Sequence, residues 1–203
     1  MFPAVAHVTA RTVIGCYIRA LLQWMRGPSH DPQQSLAQTR RGQMLDEVTG
    51  VYNQRHLVAL LEQEKARSDA GQGVFCVGIV DIDHLGVADD FHGCATRDNV
   101  LRHVAAAIAV ELRRADVVGR YGDEKFVFVL LQTRLDRASI PAKRVRRRIA
   151  SLEIGGLSQP RKVTASIGLA EFRRGEEIGA LMQRAESVPS HAEASARVCI
   201  DAG

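Results

Sequence analysis

Asp81 and Asp83 stand two residues apart at the end of an uninterrupted apolar run, VFCVGIV. On an extended chain, residues i and i+2 share a face. Paired carboxylates at the exit of a buried strand can hold a divalent cation through oxygen ligands. The plain alternative is a strand that ends in polar residues. A second constellation is Gly122-Asp123-Glu124-Lys125, between the runs ADVVGRY and FVFVLL. Gly-Asp between β-branched and aromatic runs predicts a hairpin tip, and a charge run at a tip is ordinarily solvated. A third lies just upstream, Arg113-Arg114-Ala115-Asp116, and a fourth is the cationic group Lys143, Arg144, Arg146, Arg147 and Arg148.

The elements that must position these groups follow from periodicity. Asn53 is a fair N-cap for a helix over 54–68. Residues 74–83 read as a strand buried on both faces, followed by a loop over 84–98. Val100, Val104, Ile108 and Leu112 fall at i+4 spacing and predict a helix over 99–113. The hairpin comes next. A helix over 136–152 follows, ended by a glycine cap at Gly155-Gly156. A strand over 162–172, a helix over 178–188 and a last strand over 197–200 complete the order. Alternating helices and strands with one sequential hairpin predict an α/β fold, a central mixed sheet flanked by helices.

Upstream, residues 1–26 carry an amphipathic pattern, with Val13, Ile14, Tyr17, Ile18, Leu21 and Met25 at helical spacing. Arg11 and Arg19 interrupt it, so neither a membrane span nor a leader is expected there. Packing on a partner helix is the first reading of it. Membrane-surface contact through Arg19, Trp24 and Arg26 is the second. Residues 27–45 read as a linker and connecting helix, and 46–203 as the main domain.

The chain has 203 residues, 46% hydrophobic and 25% charged, with a net charge of +4. That is enough to bury a core in one domain. Aromatic content is 5%, too low for a single-strand stacking platform, so no nucleic-acid partner is expected. Cys16, Cys76, Cys94 and Cys199 form no CxxC pair. They fit a reducing cytoplasm better than a disulfide framework, and Cys76 reads as a small core residue.

Four segments occur in an order and spacing that resembles the GGDEF family of diguanylate cyclases: DEVTGVYNQRHL, VDIDHLGVADDFHG, RYGDEKF and VTASIGLAEF. The similarity covers 46–200. It implies a nucleotidyl-cyclase-like sheet with a ferredoxin-like palm core. It also implies the family's chemistry. Two GTP molecules are held by a dimer, with divalent cations stabilising the phosphates while a 3′-hydroxyl attacks an α-phosphate to give cyclic di-GMP. By that resemblance, the metal positions are Asp81, the backbone carbonyl of Ile82, and Glu124. Asp98 and Asp89 fall at guanine-contacting positions and Arg197 at a phosphate-contacting one. Mg²⁺ is expected only where GTP is bound.

The departures from the family pattern carry as much information. The signature stands as Gly122, Asp123, Glu124, Lys125, Phe126. Asp123 replaces a glycine where the backbone must approach phosphates. Lys125 replaces the carboxylate assigned to activating the hydroxyl, and an ammonium cannot accept that proton. Gly86 and Glu193 stand where phosphate-binding lysines are usual, and Asp89 replaces an asparagine. Losing two cations beside a triphosphate is expected to cost about 2–5 kcal/mol, by analogy with a disrupted buried charge pair.

Arg113 and Asp116 match the family's inhibitory RxxD site, where product binds, and Arg144 matches a further arginine of that site. Guanidinium groups fork onto phosphate oxygens and the guanine O6/N7 edge, and a carboxylate accepts from guanine N1 and N2. The bland counterpart is a surface ion pair beside a basic helix. The expectation is therefore a degenerate, catalytically silent domain that binds cyclic di-GMP at Arg113, Asp116 and Arg144. A weakly active cyclase binding GTP is one alternative. A scaffold working through protein contacts, as a homodimer or with a partner on the N-terminal helix, is another.

Overall fold

A computed structural model describes residues 44–83, 85, 94–154, 163–187 and 198–200. The predicted N-terminal helix and the predicted linker as far as residue 43 lie outside them, as do Cys16, Gly86, Asp89, Glu193 and Arg197.

Helix α1, Gln54–Asp69, starts where expected: the Asn53 side chain accepts from the His56 amide at 3.0 Å, which satisfies one of the free amides of the first turn. Strand β1, Phe75–Ile82, follows. Helix α2, Cys94–Glu111, begins earlier than the apolar spacing suggests. Its opening turns, CATRDN, are polar and carry no apolar period. The hairpin is β2, Val117–Arg120, and β3, Lys125–Leu131. Helix α3, Leu135–Ala150, ends before the predicted glycine cap. Ser151 caps it instead, its Oγ donating to the Arg148 carbonyl at 2.8 Å. Strand β4, Ala165–Glu171, helix α4, Ile178–Glu186, and strand β5, Val198–Ile200, complete the described elements.

The strands form one sheet in the order β2-β3-β1-β4-β5. The pairs β2–β3, β3–β1 and β1–β4 are antiparallel, and β4–β5 is parallel, so the sheet is mixed as expected. Alternation along β1 divides the core. Cys76, Val80 and Ile82 join a cluster with Val104, Ile108, Val145 and Ile149 of α2 and α3. Phe75, Val77 and Ile79 join Leu57, Leu61, Leu181 and Met182 of α1 and α4. Helices thus cover both faces, which is why β1 reads as a continuous apolar run. Burial of Cys76 in the first cluster pushes its thiol up to about 12, the behaviour of an inert core cysteine.

Gly78 faces Phe128 across β1 and β3. A Cβ at Gly78 would lie 2.1 Å from the Phe128 ring, so the ring fills the space of the missing side chain. Gly119 of β2 makes a second close approach. A Cβ there would lie 3.0 Å from the Tyr52 carbonyl. That carbonyl accepts from the Arg120 amide at 2.7 Å, seating the segment before α1 against the sheet edge. Among the described residues, no helix is long and apolar enough to cross a membrane.

Candidate functional site

The register of the sheet fixes the tip of the hairpin against the end of β1. Asp81 is paired with Lys125 on one side and with Ser166 on the other. Directly opposed residues of an antiparallel pair project to the same face, so Lys125 stands beside Asp81 on the α1/α4 side. Lys125 Nζ also pairs with the Glu186 carboxylate at the end of α4. The Glu186 hydrogen bond, against some desolvation, holds the Lys125 ammonium above its usual range and therefore charged. Burial is the main influence on Asp81. It pushes the carboxyl up, with Asp83 and Glu186 adding to the rise and Lys125 opposing it.

Glu124 is oriented differently. Arg97 reaches from α2, which packs on the opposite face of the sheet, and its Nη2 lies 3.5 Å from Glu124 Oε1 and 4.0 Å from Asp123 Oδ2. The Glu124 carbonyl accepts from the Ile82 amide at 3.3 Å. Phe126, the last residue of the signature, is fully buried in the core. The two signature positions Glu124 and Lys125 are thus fastened to helices on opposite sides of the sheet.

Asp83, two residues on from Asp81, is also tied into the sheet. Its carboxylate accepts from Thr164 Oγ1 at 2.7 Å and Ser166 Oγ at 3.2 Å, tying the end of β1 to β4. Asp98 sits in α2 with Arg102 at 3.9 Å, one helical turn on. Among the described residues, no group of three or more His, Cys, Asp or Glu side chains is placed to share a metal ion.

Arg120 is a residue that spacing alone did not single out. Its Nε donates to the Gly122 carbonyl and its Nη2 to the Asp123 carbonyl, both at 3.1 Å. Its Nη1 pairs with Asp46 at 3.2 Å. Asp46 in turn accepts from the Thr49 hydroxyl at 2.6 Å and the Thr49 amide at 2.9 Å. Burial pushes the Asp46 carboxyl up, but the Thr49 and Arg120 contacts outweigh it and hold the carboxyl below its usual range. One guanidinium therefore fixes the backbone of the tip to the segment before α1. The signal was present in the motifs, which contain both Asp46 and Arg120. Arg97 and Glu186 gave no such signal.

At the other end of the hairpin, Arg113, Asp116 and Arg144 come together around the C-terminus of α2. Asp116 Oδ2 accepts from the Arg113 amide at 3.0 Å and Oδ1 from the Leu131 amide at 3.3 Å. The carboxylate thus shapes the turn and holds the end of β3, and it meets Arg113 through the backbone rather than the guanidinium. A carboxylate has about four lone-pair sites, so these two bonds leave further acceptor capacity. Arg144 Nη2 donates to the Glu111 carbonyl at 2.7 Å, and Nε to the Glu111 carboxylate at 3.2 Å. A guanidinium at the C-terminal end of a helix is favoured by its dipole. Arg113, Arg114, Lys143, Arg144, Arg147 and Arg148 are exposed, whereas Arg146 is half-buried.

A family model described as "Diguanylate cyclase, GGDEF domain" matches residues 43–198. The diguanylate cyclase DgcP of Pseudomonas aeruginosa is 30% identical over 183 residues, covering 89% of this chain and 27% of that protein. The response regulator PleD of Caulobacter vibrioides is 31% identical over 155 residues, covering 75% of this chain and 34% of that protein. The chain thus spans about a quarter to a third of the length of these relatives. Among solved structures, the coiled coil and GGDEF domain of DgcB from Caulobacter crescentus, in complex with c-di-GMP, superposes with a TM-score of 0.73 at 25% identity. It covers 84% of this chain and 91% of that one. The diguanylate cyclase SiaD of Pseudomonas aeruginosa, in complex with its activator SiaC, gives a TM-score of 0.69 at 30% identity, covering 87% and 70%.

Proposed function

Because the chain belongs to the GGDEF, diguanylate cyclase, family of cyclic di-GMP signalling, we propose that it is a catalytically silent member that binds cyclic di-GMP as a receptor. The site is Arg113, Asp116 and Arg144. The observation that carries this reading is the contrast within one hairpin. The residue expected to accept the proton of the attacking hydroxyl is an ammonium, Lys125, already paired with Glu186. The RxxD turn meanwhile presents exposed guanidinium groups beside a carboxylate with spare acceptor capacity.

The chemistry of recognition follows from those groups. Arg113 binds a phosphate or the guanine Hoogsteen edge, which presents two acceptors to a planar fork. Asp116 accepts from the guanine N1 and N2 hydrogens while keeping its backbone contacts. Arg144 exchanges part of its hold on Glu111 for the ligand. The cationic face of α3 raises the local concentration of a dianionic ligand.

Isothermal titration calorimetry with cyclic di-GMP is the test. Micromolar binding that is abolished in Arg113→Ala and in Asp116→Asn supports the reading. No heat at high micromolar ligand sinks it. In parallel, GTP with Mg²⁺ is expected to give no product by chromatography. Turnover that disappears in Asp81→Ala would establish the cyclase reading instead.

A further inference from the structure

The family's divalent cations require carboxylate oxygens that are open to coordination, and the donor set around the hairpin tip does not fit them. We infer that in this chain the protein's own cations, Lys125 and Arg97, take the place of the metal ions and turn the former catalytic site into a structural junction. The inference rests on reading Asp81 and Glu124 as the metal positions of the fold.

The geometry is specific. Asp81 has an ammonium as its direct cross-strand neighbour. Hard divalent cations are held by oxygen ligands at about 2.0–2.6 Å, and an ammonium next to the same carboxylate repels them. Glu124 and Asp123 share one guanidinium nitrogen, Arg97 Nη2. A metal ion at Glu124 must displace Arg97 from a half-buried position. Asp83 is committed in part to the sheet, where the Thr164 and Ser166 hydroxyls donate to it.

The same contacts carry a mechanical consequence. Arg97 belongs to α2 and Glu186 to α4, on opposite faces of the sheet. Lys125 and Glu124 are adjacent at the tip. The ion pairs therefore clip the tip to both helical layers, a fastening that a divalent ion gives only while bound. A tip held in this way needs no metal to stay ordered, which suits a domain whose ligand sits at the hairpin base.

The test is Mn²⁺ binding without nucleotide, read by electron paramagnetic resonance, together with thermal melts in Mn²⁺ and in chelator. The wild-type chain is expected to show no saturable binding below about 1 mM and a melting temperature unmoved by the ion. The variant Arg97→Gln/Lys125→Gln is expected to bind at least ~10-fold tighter. It should melt lower than wild type in chelator and recover with Mn²⁺, because an ion bound only by the folded state stabilises it. Lys125→Gln alone serves if the double variant does not fold. Wild-type binding in the micromolar range that Asp81→Asn abolishes would overturn the inference. So would a folded variant that gains no affinity for the ion. Neither outcome alters the cyclic di-GMP titration, so this inference and the receptor reading can fail separately.

Discussion

The two ends of the β2–β3 hairpin handle charge in opposite ways. At the tip, each of three basic side chains is paired: Lys125 with Glu186, Arg97 with Glu124 and, at 4.0 Å, Asp123, and Arg120 with Asp46. At the base, guanidinium groups gather and the carboxylates are engaged without neutralising them all. Asp116 serves backbone amides, and Glu111 holds Arg144. Cations already paired in this way gain little from an anionic ligand, because each new contact displaces one already made. A surplus of exposed cations keeps its attraction for phosphate. Under the receptor proposal, loss of one function and retention of another coexist on a single pair of strands.

The frame that carries both ends is the place to break the comparison altogether. Phe128→Ala removes the ring that fills Gly78 and should destabilise by about 3–5 kcal/mol in urea denaturation, the usual cost of deleting a buried aromatic. Cyclic di-GMP binding should fall in step with the folded fraction, with no specific effect at either end. A variant that kept its stability would show that the sheet does not set the geometry.

At the base, stability and binding should separate. Asp116→Ala leaves the Arg113 and Leu131 amides without their acceptor and should cost about 1–3 kcal/mol. Arg113→Ala touches no such contact and should stay within about 0.5 kcal/mol of wild type in the same assay. Both should lose cyclic di-GMP by calorimetry. Equal stability loss in the two would erase the assigned division of labour.

The tip has its own pH signature through Asp46. Its carboxyl is held below the usual range in the folded chain. A depressed acid contributes stability that is present above its unfolded pKa, and that contribution is lost as pH falls through the folded value. Chemical denaturation from pH 6 down to pH 3 should therefore show a loss that Asp46→Asn blunts. At pH 7 the substitution should cost about 1 kcal/mol, in line with a charge-assisted hydrogen bond partly retained by the amide.

The smallest effect is expected at Gly122. A Cβ there meets nothing closer than the Lys125 side chain at 3.9 Å. Gly122→Ala should change stability by less than about 0.5 kcal/mol. A larger loss would mean that the tip has a tight backbone requirement at this position.

Much of the architecture was legible before the coordinates. The Asn53 cap, the two-sided burial of β1 and the hairpin all arise from local rules: turn chemistry, capping and the period of apolar residues. The misjudged boundaries have local reasons too. The first turns of α2 are polar, so apolar spacing placed its start near Asn99 rather than Cys94. Helix α3 ends at Ala150, because Ser151 supplies the last hydrogen bonds before any glycine is reached. Asp83, read from the sequence as a partner of Asp81, also bonds across the β1–β4 junction. No periodicity announces which hydroxyls a carboxylate will meet on another strand.

The sequence by itself determined the family, the α/β order and the residue type at each position of the hairpin tip, since each is a matter of residue type at a fixed spacing. It established that an ammonium stands at position 125. Only the tertiary structure decided what that ammonium does. Lys125 and Glu186 are 61 residues apart, Arg97 and Glu124 are 27, and Arg120 and Asp46 are 74. Ion pairs of that range are set by sheet register and helix packing, because Coulomb attraction between side chains acts over a few ångströms of space, whatever their separation along the chain.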